Sequence, residues 1–133
     1  INNHYNNRKM EFDIIILVCN RCFETWLLGC KGLYPKETVE RDSFFYPYYN
    51  HYNIEDCNPE AMLAPEKVDE TTAKYHFHYL HELLRYKKIR YSKSNPKNIA
   101  TSEYFNGIVE RINTTKDLQT FKEFYDFIFS VKL

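Results

Sequence analysis

The chain has 133 residues, enough for one domain with a single core and too few for two. Eighteen Lys and Arg offset eighteen Asp and Glu, so no net charge draws it to nucleic acid or a membrane surface, and no apolar run is long enough to span a bilayer. The compositional bias is aromatic: twelve Tyr and ten Phe suit a tightly packed core or a pocket for a planar ligand.

In chain order, residues 1–9 read as an exposed lead-in without a signal-peptide pattern. Such a start is expected of a processed chain or of a piece of a longer polypeptide. From Met10 to Leu28, Phe12, Ile15, Ile16, Cys19, Phe23, Trp26 and Leu27 recur at helical spacing, and Gly29 and Gly32 supply stops. The β-branched run Ile14-Ile15-Ile16 also suits a buried strand; length and the continuation through Trp26 favour helix. Residues 33–64, with Pro35, Pro47, Pro59 and the aromatic stretch Phe44–Tyr52, predict a long irregular connection, with a short strand or helical turn as its only regular element.

Pro65 is expected to open the clearest helix. Glu66, Asp69 and Glu70 stand in its first turns and Arg85, Lys87 and Lys88 near its end, an order that complements the helix dipole. Val68, Thr72, Tyr75, Tyr79, Leu83 and Tyr86 form its apolar stripe, widened by Ala73, Phe77, Leu80 and Leu84. His78 and His81 fall on the polar side. Residues 92–100, with Asn95-Pro96, read as a loop. Thr101 or Ser102 caps a helix to about Ile112, with Tyr104, Phe105, Ile108 and Ile112 inward. Thr114 or Thr115 caps a last helix, buried through Leu118, Phe121, Tyr125 and Ile128. The expected architecture is mainly α, a helical bundle with a long irregular aromatic-rich connection.

The motif that bears chemistry is Cys19-Asn20-Arg21-Cys22. Its spacing serves three chemistries. A zinc site needs four ligands, and beyond this knuckle the candidates are Cys30, His51 and Cys57, or His78 and His81, with no second close pair. Buried structural thiols account for Cys30 and Cys57 better than for the pair itself. A redox dithiol uses a helix entrance to favour the thiolate, and Arg21 adds positive charge. No metal is assigned on this reading.

Three stretches also resemble, in order, the Erv/ALR family of FAD-linked sulfhydryl oxidases, in particular its diverged viral, baculovirus-type members. They are "FDIIILVCNRCFETWLLGCKG", "YHFHYLHELLRYKK" and "NPKNIATSEYFNGIVERI", spanning about Phe12 to Ile112. The resemblance implies a four-helix bundle holding FAD beside the dithiol, residues 1–133 being one domain, the C-terminal part of a longer oxidase. Cys19 would exchange with substrate and Cys22 would face the flavin. His81, with His78 beside it, matches the family's flavin-contacting histidine. Lys87, Lys88 and Arg85 would approach the phosphates, Tyr104 the adenine, and Trp26 is the remaining aromatic candidate. In this family-derived scheme protein thiols are the substrates, oxygen accepts the electrons, and a homodimer is the expected assembly, in the host cytoplasm, nucleus or virion of a virus. The competing expectation is a small helical interaction module whose cysteines are structural or hold zinc.

Overall fold

The computed structural model describes residues 11–131. Among them are five α-helices: α1 (Phe23–Leu27), α2 (Tyr46–His51), α3 (Thr72–Tyr86), α4 (Ser102–Thr114) and α5 (Gln119–Ser130). A single 3-10 turn covers Pro59–Ala61. The molecule is mainly helical, and the only β pairing among these residues is an isolated Ser92–Asn95 bridge.

The first expected helix shrinks to one turn and a half. Residues 11–21 carry no helix, and Ile14 and Ile16 are 79% and 82% exposed. A helix this short of partners has nothing to bury its stripe against, and three consecutive isoleucines favour extended backbone. Arg21, at φ 74°, sets the boundary in the left-handed region. The predicted first residue, Met10, lies outside the described residues. Within α1 the burial is dense, taking in Glu24, Thr25, Trp26 and Leu27.

The long helix begins at Thr72 rather than Pro65. Thr71 Oγ1 accepts from the Lys74 amide at 3.2 Å, which is a better start than proline with its acidic followers. Pro65 to Val68 closes only a turn, through the Val68 amide and the Pro65 carbonyl. Glu66, Asp69 and Glu70 therefore precede the helix, and Val68 is not part of its stripe. Tyr75, Tyr79, Leu80, Leu83 and Leu84 bury as expected, and His76 buries with them.

Thr101 caps α4 by accepting from the Tyr104 amide. Tyr104, Ile108 and Ile112 turn inward, whereas Phe105 stays 42% exposed. Gly107 lets α4 approach the segment after α1: the Lys31 amide donates to the Gly107 carbonyl at 3.1 Å, and a Cβ there would meet Cys30 Sγ at 2.5 Å. The last helix starts at Gln119, not after Thr114 or Thr115. Its opening amides find acceptors across space: Leu118 donates to Asn58 Oδ1 and Thr120 to Glu60 Oε1, so the cap comes from the 53–62 segment. Ile128, expected inside, is 49% exposed because α5 runs past the core.

Candidate functional site at the cysteine pair

Cys22 is the N-cap residue of α1, and Cys19 stands three residues before it in half-buried coil. The sulfur of Cys22 donates to the Ala73 carbonyl of α3 at 3.5 Å and lies 3.6 Å from Thr25 Oγ1. Thr25 in turn meets His76 Nδ1 at 2.8 Å, and His76 Nε2 lies 2.8 Å from the Met62 carbonyl. The histidine that reaches the pair is thus His76. Sequence reading named His78 and His81 instead, because His76 falls within the apolar side of the helix. The signal available was its position one residue from Tyr75 and three before Tyr79, inside the buried stripe.

Both thiols of the pair hold their protons. Burial, then Cys22, Glu60 and Glu24, push Cys19 up to about 11. Burial raises Cys22 as well; its contacts with the Thr25 side chain and backbone pull it down in part, and Glu24 opposes them. The expected stabilisation of a thiolate at a helix entrance is overridden, since α1 is short and carries a buried acid in its first turn. Lys93 Nζ, 3.2 Å from Glu24 Oε1, offsets that acid. Arg21 is exposed, and its charge is felt at His76, which burial, and then Arg21, hold below the ordinary imidazole value.

One hollow reaches Cys22, and two more lie beyond it. The first, about 380 Å³, is lined by Cys22, Glu24, Ala73, Lys74, Phe77 and Lys93. A second, about 430 Å³ and largely apolar, shares Glu24 and Lys93 with it and adds Tyr91. A third, about 560 Å³, shares Tyr91 and is lined by His81, Arg85, Lys88 and Arg90 among others. His81 Nε2 is buried without a hydrogen-bond partner, and its ring packs on Phe77 and Tyr91 at 4.4 and 5.3 Å between centroids. Glu82 lines this hollow too and pairs with Arg85 at 3.1 Å, so among the described residues the orphaned ring nitrogen has Lys88 and Arg90 as its unpaired cationic neighbours, a set that suits an anionic group only with Glu82 turned away.

The other candidates lie elsewhere. His78 is held by Glu70 at 2.8 Å. Lys87 ends α3 on the side of Glu37, whose carboxyl its charge helps to lower. Arg85 also binds Glu82 at 3.1 Å and caps the Phe44 ring at 4.1 Å. Trp26 is buried, stacks on Phe124 and donates from Nε1 to Thr120 Oγ1 at 2.9 Å. Tyr104 donates its hydroxyl to the Leu27 carbonyl at 2.8 Å. Trp26 and Tyr104 line a common apolar hollow of about 490 Å³ with Phe23, Phe105 and Phe121, separate from the cationic one. His81 lies eight residues beyond Ala73, roughly 12 Å along the helix axis, so it does not face the sulfurs directly.

Cys30 is buried and Cys57 exposed, and all four thiols are free. Burial pushes Cys30 up to about 11. Among the described residues no three His, Cys, Asp or Glu side chains converge in a metal-holding arrangement, and no helix is long and apolar enough to cross a membrane. No protein-family model, curated protein or solved structure matches the chain.

Proposed function

We propose that this chain is a thiol–disulfide exchange domain of the sulfhydryl-oxidase kind, with Cys19 and Cys22 cycling between dithiol and disulfide. One observation carries the reading: Cys22 is packed by α1 and α3 yet lines a hollow, and neighbouring hollows that share Glu24 and Lys93, and then Tyr91, lie in succession toward His81, Glu82, Arg85, Lys88 and Arg90. Cys19 is the exchanging sulfur and Cys22 its resolving partner. His81, Arg85, Lys88 and Arg90 are the residues suited to hold the phosphates of a flavin nucleotide; Phe77 and Tyr91 offer faces for its ring. A bound flavin would supply a two-electron acceptor for the dithiol. The chain's own part is to hold the two sulfurs, exclude water around Cys22 and manage its proton.

Two measurements test this. Peptide mapping across a glutathione redox titration should find a Cys19–Cys22 disulfide, and Cys22→Ser should abolish dithiothreitol oxidation while Cys19→Ser keeps any bound flavin. A titration in which Cys19 and Cys22 never pair, or variants that oxidise dithiothreitol at the unmodified rate, would sink the assignment. A second reading, a helical interaction module, draws on the exposed apolar segment Phe12, Ile14, Ile16 and Val18 and the exposed Phe23 beside the pair. A colourless protein whose sulfurs stay reduced, and which associates through that segment, would favour it.

A further inference from the structure

His76 is 0% exposed and has two hydrogen-bond partners, Thr25 Oγ1 on Nδ1 and the Met62 carbonyl on Nε2. A carbonyl only accepts, so Nε2 carries the ring proton. In the neutral ring Nδ1 is then a bare acceptor, and the Thr25 hydroxyl must donate to it. That leaves the Thr25 oxygen free to accept, and its two further neighbours are the Cys22 amide at 3.3 Å and the Cys22 sulfur at 3.6 Å. The chain of groups runs in one direction: thiol, hydroxyl, imidazole.

We propose that Thr25 and His76 form a proton relay that serves Cys22 as its internal base. It rests on the exchange reading above and assigns how the resolving sulfur is activated. When a substrate cysteine is joined to Cys19, the Cys22 proton passes to Thr25 Oγ1 while the hydroxyl proton moves to His76 Nδ1. The freed Cys22 sulfur attacks Cys19; the Cys19–Cys22 bond forms, the bond to substrate breaks, and substrate leaves as a reduced thiolate, which is the reductive half of exchange. In the oxidising half a substrate thiolate attacks Cys19, the Cys19–Cys22 bond breaks, and the departing Cys22 thiolate takes the proton held on His76 back through Thr25. The electron count is closed within the exchange, and the proton rests on His76 until it is returned. The Ala73 carbonyl offers the thiol a second acceptor at 3.5 Å, but it can take no proton, so it holds the resting thiol in place. Burial, which keeps Cys22 protonated and His76 neutral, sets the starting state that such a relay needs.

The charged and titratable groups around the relay are Arg21, Glu24 and Cys19 near α1, Glu60 of the 3-10 turn, Lys74 on α3, and Tyr91 and Lys93. None of them hydrogen-bonds Thr25 or His76 among the described residues; Glu24 alone bears on the Cys22 thiol directly and raises it, so Glu24→Gln should shift the Cys22 profile while keeping the limb set by the imidazole.

The experiment is peptide-resolved alkylation of the reduced chain with iodoacetamide from about pH 4, below the lowered imidazole titration, to about pH 10. Exposed Cys57 serves as the unassisted reference and buried Cys30 as a gauge of folding. Unmodified Cys22 should react below its own titration, on a limb that rises as His76 loses its proton, and should slow in heavy water more than Cys57 does. His76→Asn and Thr25→Ala should lose that limb, cutting the rate near neutrality by about tenfold or more, and Thr25→Ser should restore it. Wild-type profiles in Thr25→Ala and His76→Asn with Cys30 still protected would overturn the relay, as would equal heavy-water effects on Cys22 and Cys57 in the unmodified chain. The heavy-water comparison uses no variant and so decides the matter even if one fails to fold. Disulfide mapping reads the exchange function separately: an intact relay without a Cys19–Cys22 bond would leave that function wrong and this proton path standing.

Discussion

Two buried polar clusters lie at the two ends of α1 and are built on opposite plans. Arg111, fully buried on α4, donates from Nε to the Gly29 carbonyl at 2.7 Å, from one terminal nitrogen to Asp117 at 2.9 Å and from the other to the Ile54 carbonyl. Its charge is paired and three segments are tied to one side chain. Around Cys22 the thiol and the His76 ring are neutral, Glu24 lies 3.2 Å from Lys93 with its buried Oε1 short of a hydrogen bond, and His81 keeps an idle nitrogen. A fully satisfied polar network fixes a fold, whereas a partly satisfied one leaves room for protons and ligands to move.

That contrast can be broken most forcefully at Arg111. Arg111→Ala strands two backbone carbonyls and Asp117 and should cost about 3–5 kcal/mol in urea unfolding, or prevent folding altogether. A loss below about 1 kcal/mol would mean that the cluster is not the tie described here. Gly107→Ala drives a methyl into Cys30 Sγ and the Lys31 backbone and should cost about 1–3 kcal/mol, partly recovered when combined with Cys30→Ala. At the other end of α1, His76→Asn should cost only about 1–2 kcal/mol while changing the chemistry of Cys22, the reverse of the Arg111 pattern.

Stability should also fall at high pH. Cys19 and Cys30, at about 11, and Tyr34, at about 12, keep their protons longer folded than unfolded. Their contribution is whole below the ordinary thiol value of 9.0 and is lost as pH rises through about 11. His76 acts oppositely: its lowered value means that stability is lost as pH falls below the ordinary imidazole range. Thermal unfolding from acid to alkaline pH should therefore trace a plateau with two falling edges. The smallest effect belongs to the exposed Lys122–Asp126 pair, where Lys122→Ala should change stability by less than about 0.5 kcal/mol.

The helices α3 and α4 were legible because each carries a long stripe; the threonine cap was read at α4, while at α3 Pro65 drew the start away from Thr71. What periodicity could not reveal was dependence on distant partners. Residues 12–18 keep a helical spacing of apolar groups yet have no surface to cover, and α5 takes its first acceptors from Asn58 and Glu60, some sixty positions away. At the site, Cys19 and Cys22 stood out by spacing, whereas His81, Arg85 and Lys88 entered as cofactor contacts only through the family resemblance, since their charge alone reads as a solvated helix face. The relay was hidden because Thr25 and His76 sit within apolar stripes, where a lone polar residue reads as core. Trp26 and Tyr104 drew notice as flavin contacts, although their polar atoms are already engaged inside the fold.

Trp26 is the sole tryptophan, wedged against Phe121 and Phe124 and anchored to Thr120, which also bonds Glu60. Nature has thereby installed a fluorophore one residue past Thr25, wired to α5. Its emission colour will register any loosening of the first helical turn, so a change there on closing the proposed Cys19–Cys22 bond can be sought by light without attaching a label.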